Sequence, residues 1–103
     1  MDREYIWQKL SPPIQHALLD PDVTEIALNP DSSLWVSSRT HGFQKVSELN
    51  EADVSVFVNA LSQLNLQYLN HAKPFLDCVL PFAKERVCIT VPPISEGVSF
   101  NIR

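Results

Sequence analysis

The feature that most constrains this chain is the order of its hydrophobic spacings, which change from helical to strand-like along the sequence. Apolar residues recur every four positions from Ile6 to Leu18, and prolines at positions 12 and 13 interrupt them. We therefore predict two short helices, with Ser11 capping the second, because proline fits only the first turn of a helix. Pro21 and the Asp residues on either side of it end this second helix.

Most of the remaining chain consists of short segments rich in β-branched and aromatic residues. They are residues 23–28, 34–37, 43–46, 75–80, 86–91 and 98–102. The first three are separated by turn-forming compositions and predict an antiparallel meander. The next two predict a hairpin, after which the chain turns at Pro92 and Pro93 into the last strand.

One longer helix is predicted between the meander and the hairpin. Asn50 is a typical N-cap, and Glu51 and Asp53 place acidic groups near the positive end of the helix. Apolar residues then follow at three-four spacing as far as Leu64. This order of elements, without alternating βαβ units, predicts an α+β fold: an antiparallel sheet of about six strands with helices packed on one face.

The composition and charge of the chain argue against several classes of function. The chain has 103 residues, of which 45% are hydrophobic, and this bounds it to one small globular domain. A net charge of −4 without clustered Lys and Arg argues against direct nucleic-acid binding. We predict no metal site, because the two cysteines and three histidines lack metal-ligand spacing. There is no glycine-rich phosphate loop, no apolar run of membrane-spanning length and no export signal. Two cysteines are too few for a disulfide scaffold, so a reducing cytosol is expected.

The register of the predicted hairpin decides which of its side chains are neighbours. A register symmetric about Ala83 pairs Cys78 directly with Cys88 as reduced thiols. It also places Asp77 opposite Ile89 among apolar side chains, which is unfavourable for an unpaired carboxylate. Two interpretations therefore stay open: either the register differs, or Asp77 meets one of the arginines at positions 86 and 103.

Six short motifs follow one another in order between residue 14 and the end of the chain. They are residues 20–29 (DPDVTEIALN), 34–36 (LWV), the predicted long helix, and residues 85–87 (ERV), 92–93 (PP) and 99–103 (SFNIR). In this order they resemble the N-terminal domain of the traffic ATPases of type IV secretion and conjugation systems. One departure is that residues 82–85 (FAKE) lack the glycine that often precedes the family's arginine.

This resemblance implies that residues 1–103 form a single N-terminal domain and that the family's RecA-like motor domain, with its Walker A loop, is absent from the chain. The chain is then either an excised domain or a natural short protein. In both cases we expect the chain alone not to hydrolyse ATP, because phosphoryl transfer also needs a phosphate cradle and a metal site. The parent protein is expected to be an ATPase.

The resemblance also implies two site residues, Arg86 and Arg103. They match positions from which the family's arginines reach the phosphates of ATP, whose Mg²⁺ the absent motor domain would supply; a guanidinium group suits this task. Strand alternation predicts that both lie on the less apolar face of adjoining strands, where unopposed guanidinium groups repel unless an anion joins them. The alternative is that both are ordinary surface arginines. No catalytic residue is predicted, and Glu25 is expected to be structural, pairing with an arginine or capping a neighbour.

The implied function is that of a nucleotide lid in a hexameric ring. Such a ring is cytoplasmic, peripheral to the inner membrane and in contact with inner-membrane secretion components, and it powers substrate translocation or pilus assembly by ATP hydrolysis. The alternative is a stand-alone adaptor or regulator with the same fold, which binds a secretion ATPase or a channel component without nucleotide chemistry.

Overall fold

The computed structural model describes residues 2–81, 85–92 and 96–103, which form nine helices and strands. In chain order they are α1 (Asp2–Lys9), α2 (Pro12–Leu19), β1 (Val23–Leu28), β2 (Ser33–Ser38), β3 (Gly42–Glu48), α3 (Glu51–Leu64), β4 (Phe75–Val79), β5 (Arg86–Thr90) and β6 (Ser99–Ile102). The predicted α+β fold is confirmed. Each predicted element is present, with small changes at its ends.

The strands of the described residues form one antiparallel sheet of six, in the order β3-β2-β1-β6-β5-β4. The predicted meander and the predicted hairpin are its two halves. Strand β6 lies between them, and Ile102 is paired with Ile26 on one side and with Val87 on the other. Position 93 of the predicted proline corner before β6 lies outside the described residues.

The helices cover one face of this sheet and form the core with it. The buried strand residues include Ile26, Leu28, Leu76, Val87, Ile89, Phe100 and Ile102. Helix α3 adds Phe57, whose ring meets the ring of Phe100 edge-on with centroids 5.3 Å apart. Ile6 of α1 and Ile14 of α2 are buried in the same cluster. The opposite face, which we call the outer face, is covered by none of the helices in the described part of the chain.

The two predicted helix caps have different outcomes. The Asn50 side chain accepts a hydrogen bond from the Asp53 N–H at 2.8 Å, as predicted. Ser11 occupies the cap position of α2, but its hydroxyl makes no capping bond and is buried without a partner. Its side-chain role was predicted wrongly because Pro13 has no N–H to donate and the N–H of Ile14 bonds to the Ser11 carbonyl instead.

The register of the β4–β5 hairpin differs by one residue from the prediction. Cys78 is opposite Val87, so Cys78 and Cys88 lie on opposite faces of the sheet. The reason is that the Leu80 N–H donates to the Glu85 carbonyl at 2.9 Å, which leaves four connecting residues instead of five. The predicted centre of symmetry, position 83, lies outside the described residues. Both cysteines are free thiols, one partly buried and the other exposed.

Replacing Phe57 by Ala should lower the free energy of unfolding by about 3–5 kcal/mol, because it empties the space between α3 and β6. The control is Val56→Ala on the same helix, where the side chain is 44% exposed. The control should change stability by no more than about 0.5 kcal/mol. Urea unfolding followed by circular dichroism measures both, and similar small losses would contradict the described core.

Iodoacetamide should alkylate Cys88 faster than Cys78 at pH 8. Burial raises the pKa of the Cys78 thiol above its ordinary value, so less of it is the reactive thiolate. The difference in rate should shrink as the pH rises through that raised pKa, and it should vanish in urea. Mass spectrometry of the alkylated peptides gives both rates. Faster reaction at Cys78, or an intramolecular disulfide, would mean that the register is wrong.

Candidate functional site

Arg86 and Arg103 are direct partners across β5 and the end of β6. The backbone N–H of each donates to the carbonyl of the other, at 2.8 and 2.9 Å. Directly opposite residues of an antiparallel pair share a face, and the neighbouring Val87 and Ile102 are buried beneath the helices. Both guanidinium groups therefore leave from the outer face, and their predicted placement on one face of adjoining strands is confirmed.

Each arginine has a carboxylate partner, so the two guanidinium groups are not unopposed. The Arg86 Nη2 lies 3.3 Å from the Asp77 Oδ2. The Arg103 Nε lies 3.2 Å from the Glu25 Oε1. The physical reason is that the one-residue change of register moves Asp77 to the outer face, opposite Cys88. Both interpretations of Asp77 are therefore correct, because the register differs and Asp77 also meets an arginine; the structural role expected of Glu25 is confirmed as well.

These four residues cross four neighbouring strands and are called the charged row. The order of the strands places Asp77 on β4, Arg86 on β5, Arg103 after β6 and Glu25 on β1. Two positive charges thus lie in the middle and a negative charge lies at each end. The middle of the row is where an anion could meet both guanidinium groups at once.

The two ion pairs differ in burial. The side chains of Arg86 and Asp77 are 70% and 48% exposed. Arg103 is 74% exposed, whereas its partner Glu25 is only 17% exposed. Glu25 is also held by Asn101, whose Nδ2 donates to the Oε2 at 2.5 Å. One carboxylate of the charged row is therefore fixed in place, and the other is open to water.

A cleft of about 230 Å³ adjoins the buried end of the charged row. Its polar lining includes Asp20, Glu25, Glu85 and Arg103. The Oε2 atom of Glu85, a residue that the sequence analysis did not single out, is buried there without a hydrogen-bond partner. Because three carboxylates face one guanidinium group, the cleft disfavours an anion. A phosphate group would have to approach the arginines from the open side of the outer face.

Residues 2–81, 85–92 and 96–103 contain no metal-binding site. The acidic side chains of the cleft do not cluster closely enough, and no group of three or more His, Cys, Asp or Glu residues there could hold an ion. The longest helix of the described residues has 14 residues, against about 20 for a membrane span. None of the helices in this part of the chain meets the length and hydropathy of such a span.

Apolar side chains flank the exposed ion pair. Val79 is directly opposite Arg86 in the hairpin register, and Phe75 lies two positions before Asp77 on the same face of β4. Both apolar side chains are about half exposed. The outer face thus offers apolar area next to its charges at the sheet edge.

Comparisons with known proteins identify relatives of this chain, although no protein-family model matches it. It is 29% identical over 87 residues to the "Probable conjugal transfer protein TrbB" of Sinorhizobium fredii. It is 30% identical over 87 residues to the conjugal transfer protein TrbB of Rhizobium radiobacter. The VirB11 ATPase from the Brucella suis type IV secretion system has a similar fold, with a TM-score of 0.80 at 23% identity. The predicted resemblance is confirmed.

These alignments cover most of this chain but only a part of each relative. Each TrbB alignment covers 84% of this chain and 27% of the relative, so the chain spans about a quarter of the length of the TrbB proteins. The fold comparison covers 99% of this chain and 31% of the VirB11 ATPase chain. The chain is thus related in sequence to TrbB conjugal transfer proteins, and it shares its fold with part of the VirB11 ATPase.

Replacing Asn101 by Ala should lower the free energy of unfolding by about 1–2 kcal/mol, because the partly buried Glu25 loses a charge-assisted hydrogen bond. The control, Lys45→Ala, removes the exposed ion pair with Glu48. It should change the free energy of unfolding clearly less than Asn101→Ala does, because surface ion pairs contribute little. Thermal and urea unfolding measure both variants. Equal effects would show that Asn101 does not hold Glu25 in place.

Proposed function

We propose that this chain is the N-terminal, nucleotide-facing domain of a hexameric type IV secretion or conjugation ATPase. The similarity to TrbB proteins and the shared fold with the VirB11 ATPase support this proposal. The chain corresponds to less than a third of either relative, which leaves room in a longer protein for a motor domain.

The observation that carries the proposal is the cross-strand pair of Arg86 and Arg103 on an open face. Both side chains are at least 70% exposed, so their guanidinium groups are accessible to a ligand. Each guanidinium group donates several hydrogen bonds in a fixed plane and stays charged, which suits the oxygens of a phosphate chain. ATP would then lie between the outer face and the motor domain.

The surroundings of the arginines support a face that a second domain covers. Phe75 and Val79 are half-exposed apolar residues beside the charged row, and apolar area of this kind is common at the centre of interfaces. The VirB11 ATPase was crystallised in complex with sulphate, an anion with the shape of phosphate. An anion bound between the domains would neutralise the two positive charges in the middle of the row.

In the ATPase cycle this domain would position the nucleotide and would move with its state, since ATP hydrolysis itself needs more than two arginines. The motor domain would supply the phosphate cradle, the Mg²⁺ ion and the attacking water. Arg86 and Arg103 would bind phosphate oxygens and move the N-terminal domain when ATP is bound or hydrolysed. In the ring, this motion would drive substrate translocation or pilus assembly at the cytoplasmic side of the inner membrane, where secretion components dock.

The reading frame after Arg103 separates this proposal from the adaptor alternative. A Walker A motif, G-x-x-x-x-G-K-[ST], within about a hundred residues supports the ATPase. A stop codon directly after Arg103 favours an adaptor or regulator that binds a secretion ATPase.

In the protein encoded by that whole frame, Arg86→Ala or Arg103→Ala should lower ATP turnover at least tenfold, which corresponds to about 1.4 kcal/mol of activation free energy. Neither change should unfold the domain, because both side chains are mostly exposed. The matched control is Arg39→Ala, in the exposed turn between β2 and β3, which should keep full turnover. Full turnover by both site variants in the assembled ring would contradict phosphate sensing.

A further inference from the structure

We propose that Asp77 is a displaceable counter-ion, which competes with phosphate for Arg86. Glu25 is a fixed anchor: it stays in place and orients the side chain of Arg103 before phosphate binds. This inference rests on the proposed function and specifies how the same site is regulated. The two ion pairs of the charged row differ in the guanidinium atom that makes the contact and in the exposure of the carboxylate.

The pair of Asp77 and Arg86 uses the atoms that a phosphate group would need. Its contact is made by Nη2, a terminal nitrogen of the guanidinium group. Water reaches both side chains, and such surface pairs contribute little free energy. Arg86 can therefore exchange this carboxylate for another anion at low cost.

The pair of Glu25 and Arg103 leaves those atoms available. Its contact is made by Nε, the guanidinium nitrogen nearest the backbone, so Glu25 does not occupy the two terminal Nη groups. Glu25 itself is mostly buried and is bonded to Asn101. Because burial and the Asn101 hydrogen bond hold this carboxylate in place, it orients Arg103 before any ligand arrives and reduces the entropy that binding would otherwise cost.

The two carboxylates thus have opposite effects on the affinity for phosphate: Asp77 lowers it and Glu25 raises it. When Arg86 turns to a phosphate group, Asp77 loses its partner and stands beside a second anion, so it weakens binding. Glu25 keeps its contact throughout. In the empty domain the charged row sums to zero, which reduces the general attraction of its open face for anions. Asp77 would also favour release of the anion after the reaction.

The test is a titration of the 103-residue chain with sodium triphosphate at constant ionic strength, followed by NMR of the arginine side chains. Asp77→Asn should lower the apparent Kd for triphosphate roughly two- to fivefold, as expected for removing a competing surface ion pair. The matched control is Glu48→Gln, which changes the net charge equally and breaks the exposed pair with Lys45. Glu48 lies on β3, four strand spacings or about 19 Å from β5, where salt screens its charge. Its effect should be close to nil.

Two further measurements separate competition from a general charge effect. In an Arg86→Ala background, Asp77→Asn should tighten binding by a smaller factor than it does in the unmodified chain, because the competition for Arg86 is lost and only the direct repulsion between Asp77 and the anion remains. In the unmodified chain, triphosphate should shift the ¹³C resonance of the Asp77 carboxyl group as Arg86 leaves it. The carboxyl resonance of Glu25 should stay in place.

The outcomes distinguish this inference from the proposed function. If triphosphate shifts both arginine signals but Asp77→Asn and Glu48→Gln act alike, Asp77 is not a competitor and only this inference is overturned. A Glu25 carboxyl shift as large as that of Asp77 overturns the anchor role. If triphosphate shifts neither arginine, the phosphate-sensing function itself is contradicted, and this inference is contradicted with it.

Discussion

The pairing of β6 with both β1 and β5 is the interaction on which the rest of the structure depends. It joins the meander to the hairpin, buries Phe100 and Ile102 beneath the helices, and places Arg103 opposite Arg86. It also brings Asn101 to Glu25, 76 positions away in the sequence. A strand of four residues therefore completes the core and the charged row together, so loss of this pairing would remove both.

The features that the sequence predicts well are those decided by nearby residues. The Asn50 cap follows from an N-terminal helix motif, and the bounds of β1 follow from one β-rich run between turns. The shared face of Arg86 and Arg103 was also predictable, because the alternation of two short strands determines it. The hairpin register was not, since composition marks a turn without stating whether four or five residues connect the strands. The same error left the partner of Asp77 undecided, and no local signal indicates which arginine Glu25 contacts.

The carboxylate partners change what the convergence of the arginines means. Two unopposed guanidinium groups would be hard to explain by folding, whereas two ion pairs on the sheet explain their stability without a ligand. The case for phosphate binding therefore depends on three properties. Both arginines are exposed, Glu25 does not contact the terminal nitrogens of Arg103, and the ion pair of Asp77 with Arg86 is open to water. These properties describe a face whose charges are paired within the chain and which, under the proposed function, accepts an anion. They agree with a domain that responds to nucleotide without performing the chemistry.

The most direct test of this account is a structure of the protein encoded by the whole reading frame, determined with a non-hydrolysable ATP analogue and Mg²⁺. The account predicts that the outer face lies against the nucleotide and that Nη atoms of Arg86 and Arg103 are within about 3.2 Å of phosphate oxygens. It also predicts that Glu25 stays bonded to Arg103 while Asp77 is separated from Arg86. An outer face open to solvent, with both original ion pairs intact beside a fully bound nucleotide, would contradict it.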